Sequence, residues 1–101
     1  MKILFLGDIV GESGCIAVQK YLPSKIKEKN IDFVIVNGEN AAKGGVGITE
    51  EITKNLFNSG VNVITTGNHI WDQKETVEHI ERESRLLRPI NLLSPSPGKG
   101  F

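Results

Sequence analysis

Three short apolar runs, each closed by a glycine and then by polar side chains, constrain this chain more than any other feature. They are Ile3-Leu4-Phe5-Leu6 before Gly7-Asp8, Asp32-Phe33-Val34-Ile35-Val36 before Asn37-Gly38-Glu39-Asn40, and Val61-Asn62-Val63-Ile64 before Thr65-Thr66-Gly67-Asn68-His69. Such runs suit strands apolar on both faces, which predicts a parallel sheet with helices on each side. Helix-like stretches lie between them. One is Cys15 to Lys29, expected to break or restart near Pro23; the other is Glu50 to Asn58, with Thr49 as N-cap and two acids in its first turn. A further helix is predicted from Asp72, with Glu75 three residues on as in a capping box, to about Arg85. Leu86 to Leu93 is a candidate fourth strand, weakened by Pro89, and Ser94 to Phe101 reads as a loop. The β-α-β-α-β order makes right-handed crossovers and a layered α/β architecture the default.

A chain of 101 residues suits one small domain or part of a larger one. Its formal net charge is zero, so bulk electrostatics favours neither nucleic acid nor an anionic membrane, and any affinity for phosphate must be local. The single cysteine, Cys15, cannot form an internal disulfide, which suits a reducing cytoplasm; it reads as a small buried hydrophobe. The apolar start is too short for a signal peptide, and nothing later approaches the roughly 18 apolar residues of a membrane span. The expectation is a soluble, cytoplasmic protein that engages no membrane.

The carboxyl ends of parallel strands share one edge, where ligand sites form. Asp8, Glu39, Asn40, Asn68 and His69 are therefore expected to converge although they are far apart in sequence. Carboxylates and amide oxygens are hard ligands for Mg, Mn or Fe, and imidazole extends the choice toward Fe, Zn and Ni. A pair of such ions can hold a phosphoryl group and activate water, which is the chemistry of phosphoester hydrolysis. Each residue also has a plainer reading: Asp8 as a turn or cap residue, Glu39 and Asn40 as solvated loop residues, His69 as a satisfied, half-buried side chain. Asn37 is expected to bond backbone, Trp71 to pack in the core rather than stack on a base, Asp72 to cap the next helix, and His79 to be an exposed helix residue. Gly44, Gly45 and Gly47 fit a flexible turn and a backbone approach to phosphate equally well. A phosphate-loop reading of Gly7 to Gly14 fails on spacing: Ile9 and Glu12 stand where a dinucleotide fingerprint needs glycine, and Cys15-Ile16 follow Gly14 where a P-loop needs Lys-Ser/Thr. Gly11 and Gly14 are better explained by close packing of the first helix.

The segments "GDIVG", "NGENAAKGGVGIT" and "TTGNHIWD", with the later "LLRPIN" and "PGKGF", resemble the calcineurin-like metallophosphoesterases, and specifically their YmdB-type bacterial branch. The resemblance implies the N-terminal portion of a four-layer sandwich around a dinuclear site of two divalent ions, Fe, Mn or Mg. It implies Asp8 as terminal ligand of the first metal, Glu39 as bridging carboxylate, Asn40 on the first metal and Asn68 on the second. His69 would be the catalytic general acid for the leaving alkoxide, or an electrostatic clamp. Val10 replaces the superfamily's commoner histidine, a loss the YmdB-type branch shares. The family's further ligands are histidines of a C-terminal half, including a Gly-His-x-His type motif, which residues 1–101 lack.

The expected function is metal-dependent hydrolysis of phosphodiesters, with 2',3'-cyclic nucleotides implied as substrates, and weak or no activity from these 101 residues alone. The alternative is a noncatalytic nucleotide- or phosphate-binding module using helix N-termini and the Gly44 to Gly47 loop. Three or four strands make a thin core with open edges, so completion by the C-terminal half, a partner chain or a second copy is also expected.

Overall fold

The computed structural model describes residues 1–101 as a single four-stranded α/β unit. The elements are β1 (Ile3–Leu6), α1 (Gly11–Lys29), β2 (Phe33–Asn37), α2 (Glu50–Asn58), β3 (Val63–Thr65), α3 (Thr76–Arg82) and β4 (Leu86–Leu87). All strand pairs are parallel and follow chain order, β1-β2-β3-β4. Crossovers of one hand that always step in the same direction return each helix to the same side of the sheet.

The register makes that consequence visible. Leu4 pairs with Val34, Leu6 with Val36, Val36 with Ile64 and Ile64 with Leu86, so these six side chains share one face. There Val34, Val36, Ile64 and Leu86 join Cys15 and Leu22 of α1, Leu56 of α2 and Ile80 of α3 in one core cluster. The opposite face carries Ile3, Phe5, Phe33, Ile35 and Val63, and Ile3 and Phe5 are 56% and 59% exposed. The expectation of helices on each side is thus corrected: the strands are apolar on both faces, but helices cover only one.

Local departures have local causes. Helix α1 begins four residues before Cys15, at Gly11, whose N–H donates to the Asn40 carbonyl, and it runs unbroken through Pro23. Pro23 removes one hydrogen bond on the solvent side, while Leu22 and Ile26 on either side of it pack against the same core. Gly14 lets the helix approach Ile9, whose Cγ2 would lie 3.1 Å from an added Cβ. Helix α2 is capped as expected, with Thr49 Oγ1 accepting from the Ile52 N–H at 3.2 Å.

Helix α3 begins at Thr76, not Asp72, because the Asp72 carboxylate is engaged with His69 and the chain turns at 69–72 and again at 73–76 before it coils. Glu75 makes no capping bond. The inward stripe of α3 is Thr76, His79 and Ile80, so His79 is buried, 5% exposed, rather than facing solvent. Only Leu86 and Leu87 of the fourth run pair as a strand, and the following loop returns to place Lys99 beside Leu87.

Candidate functional site

The carboxyl ends of β1, β2 and β3 are stitched together by backbone bonds. Ile9 N–H donates to the Asn37 carbonyl at 3.0 Å, Gly11 N–H to Asn40 at 2.9 Å, and Gly38 N–H to Thr65 at 2.9 Å. Gly38 lies so close to the core that a Cβ would meet Ile64 Cγ2 at 2.9 Å and Ile48 Cδ1 at 3.1 Å. The loops after the strands therefore have little freedom to separate.

On this frame Asp8 adopts a positive φ of 25°, which is rare for a residue with a side chain and recurs where function holds a residue in place. Asn40 Nδ2 donates to Asp8 Oδ1 at 2.9 Å, so the first two loops meet through the side chains singled out from the sequence. The third loop meets the second through Gly67. An added Cβ there would run into the Glu39 carboxylate, so a larger residue would have to push that side chain aside, and glycine lets the turn carrying Asn68 and His69 lie against Glu39 as it stands. Asn68 is exposed, and neither it nor His69 is hydrogen-bonded to Asp8, Glu39 or Asn40. Asp8 and Asn40 are thus in direct contact, Glu39 abuts the third turn, and Asn68 and His69 follow on that turn.

The rim is short of donors. Glu39 Oε2, Asn40 Oδ1 and Asn37 Oδ1 are buried acceptor oxygens with no hydrogen-bond partner. Burial strips such oxygens of water, and proteins rarely leave them unmatched. Asn37 also departs from expectation: its amide reaches the Thr65 hydroxyl at a long 3.5 Å and does not bond backbone. No group of three or more His, Cys, Asp or Glu side chains is assembled for a metal. The donor set is two carboxylates and neighbouring amides, a chemistry that suits hard divalent cations and would make up only part of a coordination sphere.

The Gly44 to Gly47 loop is tightly wound. Ala42 N–H donates to Gly47 at 2.8 Å and Gly45 N–H to Ala42 at 2.7 Å, with Gly45 and Gly47 at φ +84° and +78°. An added Cβ on Gly47 would lie 2.8 Å from Gln73 Cγ and 3.3 Å from Asp72 Cβ, so the loop packs on the segment after His69. Trp71 is half-buried against the core, as expected. Cys15 donates to the Ala41 carbonyl at 3.3 Å, and burial pushes its thiol pKa up, so it is no ready nucleophile. It lines a cavity of about 320 Å³ between α1 and α2, set apart from the rim carboxylates Asp8 and Glu39.

Two features escaped the sequence reading. Asp72 Oδ2 lies 2.7 Å from His69 Nδ1; the signal was the His-x-x-Asp spacing, which closes a single turn. Arg88, just beyond β4, has a buried Nε without a partner while its Nη1 donates to the Pro89 carbonyl at 2.9 Å. No local pattern marks that arginine.

Comparison with known proteins decides the family, because the YmdB-like protein family matches residues 4–101. The chain belongs to that family. Over 101 residues it is 46% identical to a Bacillus subtilis protein named 2',3'-cyclic-nucleotide 2'-phosphodiesterase, covering all of this chain and 38% of that one. Two solved structures superimpose closely. A hypothetical protein from Thermus thermophilus gives a TM-score of 0.90 at 40% identity, over 100% of this chain and 38% of that chain. A structure titled a novel phosphatase, from Mycoplasma pneumoniae, gives 0.88 at 35% identity, over 99% and 37%. The chain therefore spans under two-fifths of the length of each of these three proteins, and its bare sheet face is compatible with the N-terminal half of a metallophosphoesterase sandwich. No helix is long and apolar enough to cross a membrane.

Proposed function

We propose that residues 1–101 form the N-terminal part of a divalent-metal phosphodiesterase acting on phosphodiesters such as 2',3'-cyclic nucleotides. One observation carries this reading: the buried, unpartnered oxygens of Glu39, Asn40 and Asn37 crowd the strand ends that also hold Asp8. A cation is the simplest partner for oxygens that cannot satisfy one another. The name of the B. subtilis relative supports the substrate class.

In this reading Asp8, Glu39 and Asn40 would hold one ion, with Glu39 shared toward a second ion held by Asn68. Histidines outside residues 1–101 would complete the set. When bound, the ions supply charge neutralisation at phosphorus and an activated water. The chain's own residues do the rest. Gly67 keeps the third turn against Glu39, and Asn40 orients Asp8 through the 2.9 Å bond. His69 gives a proton to the departing ribose oxygen as the P–O bond breaks, so the leaving group departs as an alcohol.

The test is hydrolysis of 2',3'-cyclic nucleotides by the intact protein with Mn or Fe, against Asn68→Ala and His69→Ala. The His69 variant is expected to lose about 10²- to 10⁴-fold in kcat, the usual contribution of a general acid. Undiminished turnover in both variants would remove the site. Nucleotide uptake that needs no metal, without hydrolysis, would identify a binding module instead.

A further inference from the structure

We infer that Arg88, at the carboxyl end of β4, binds a non-bridging oxygen of the substrate's phosphate, as the positive counterpart of the bare oxygens at the end of β2. This rests on the phosphodiesterase reading and adds to it a residue from the fourth strand. Its place follows from the register. Leu87 pairs with Thr65, and the Thr66 hydroxyl donates to the Leu87 carbonyl at 2.6 Å, so Arg88 follows directly on the segment laced to the turn that carries Asn68 and His69. The Arg88 backbone N–H donates to the Lys99 carbonyl at 2.9 Å. Gly100 then packs on Ile90, where an added Cβ would lie 2.7 Å from Ile90 Cα, so the loops on either side of Arg88 hold each other in place.

The charge is held but not matched. None of the ion pairs of the fold includes Arg88, and its buried Nε has no hydrogen-bond partner. An arginine keeps its charge, and taking a charged donor out of water without an acceptor is costly. The same rim bares Asn37 Oδ1, Glu39 Oε2 and Asn40 Oδ1, so its orphaned groups come in two kinds, acceptors at the end of β2 and a donor at the end of β4. They do not quench one another because β3 lies between them, which sets the two strand ends roughly 10 Å apart, two strand spacings. A phosphodiester carried by divalent ions meets both needs, the ions answering the acceptors and an anionic oxygen answering the guanidinium. Nη1 is tied to the Pro89 carbonyl at 2.9 Å, which leaves the edge formed by Nε and Nη2, and that edge matches the oxygens of a phosphate. The other source of an anionic oxygen is a carboxylate from residues that follow Phe101, and the experiment separates the two.

It uses the intact protein with Mn, comparing wild type, Arg88→Lys and Arg88→Gln. In Arg88→Gln, KM for a 2',3'-cyclic nucleotide and the Kd of inorganic phosphate, read by calorimetry, are expected to rise about 10- to 100-fold, the worth of a hydrogen bond to a charged group. Arg88→Lys, which keeps the charge without the fork, is expected to fall between the two. In both variants kcat should fall less than KM rises, while Mn uptake and the urea midpoint stay near their wild-type values. A lower urea midpoint with KM and phosphate affinity unmoved would assign Arg88 to a carboxylate of the later residues and overturn the inference. Should Arg88→Gln fail to fold, Arg88→Lys carries the same comparison. If wild type hydrolyses the cyclic nucleotide and the Arg88 variants equal it in KM and phosphate affinity, this inference fails alone. If wild type takes up no Mn and cleaves no cyclic nucleotide, the phosphodiesterase reading falls and the role of Arg88 falls with it.

Discussion

The two rims of the sheet solve opposite problems. At the amino-end rim, where helices return to strands, polar groups find partners. Asp32 Oδ2 accepts from Lys2 N–H at 2.6 Å, Lys2 Nζ donates to the Lys29 carbonyl at 2.6 Å, and Asn62 Oδ1 accepts from the Val34 N–H at 2.8 Å. Asn62 N–H answers with a 2.9 Å bond to the Val34 carbonyl, so that side chain and backbone splice β2 to the start of β3. At the carboxyl-end rim the pattern inverts. Of the five buried side-chain polar atoms without partners, those of Asn37, Glu39, Asn40 and Arg88 lie at or just beyond the ends of β2 and β4, and only His79 Nε2 lies elsewhere. A fold that satisfies one rim has the means to satisfy the other. On the function proposed above, the oxygens left bare at one rim would lower stability there and be available to a ligand.

This contrast is tested most sharply at Glu39. If Glu39 is a direct metal ligand, as proposed, Glu39→Gln weakens Mn uptake and lowers kcat/KM of the intact protein by at least about 100-fold, more than the loss of an outer-shell partner would. Removing a buried unpaired carboxylate oxygen should leave the urea midpoint unchanged or raise it. Calorimetry and denaturation on the same variant check both halves. A large fall in stability with intact metal uptake would make Glu39 a structural residue and erase the difference between the rims.

The opposite outcome is expected at the amino-end rim. Asn62→Ala strips the 2.8 Å acceptor from the Val34 N–H, beside a side chain that is 1% exposed. Leaving that donor unpaired costs about 1 to 3 kcal/mol, read as a lower urea midpoint. Mn affinity and kcat should not move, because nothing at the amino-end rim touches the strand-end oxygens. If activity falls along with stability, the two rims are coupled and are not separate devices.

The strands are legible in the sequence because four or five apolar residues followed by glycine have few alternatives, and the convergence of their ends is legible because parallel strands share an edge. Thr49 is legible for a similar reason, as a single side chain beside a single helix start. What stays hidden is set by contacts between distant segments. The bare face of the sheet follows from the strand order 1-2-3-4, which the apolar pattern of Ile3, Phe5 and Ile35 does not encode. His79 reads as a surface residue until α3 is known to start at Thr76, which turns it inward toward Glu50, 3.9 Å away. Asp72 reads as a helix cap because the His-x-x-Asp spacing, which lets His69 compete for its carboxylate, is equally open to a capping turn. Gly67 is visible as a turn residue, but its need to admit Glu39 depends on an interloop distance.

The smallest effect is expected where α3 meets β4, again at the amino-end rim. Glu83 accepts from Arg85 Nε at 2.9 Å and Nη2 at 3.0 Å, and also from the Arg85 backbone N–H; these bonds hold its pKa below the ordinary 4.5 despite the opposing effect of burial. A depressed carboxylate pKa stabilises the fold at pH values above the unfolded-state pKa, and that contribution is lost as pH falls from about 4.5 through the lower folded value. Arg85 is half-exposed, so screening limits the pair to below about 1 kcal/mol. Its guanidinium also sits 3.9 Å from the Phe57 ring centroid, an anchor that survives loss of the carboxylate. Glu83→Gln should therefore be slightly less stable than wild type at pH 7, with the gap narrowing at high salt and closing in strongly acidic solution. Urea midpoints across pH check this, and a gap that widened toward acid would mean that Glu83 is held protonated in the fold and that this rim, too, stores unmatched polarity.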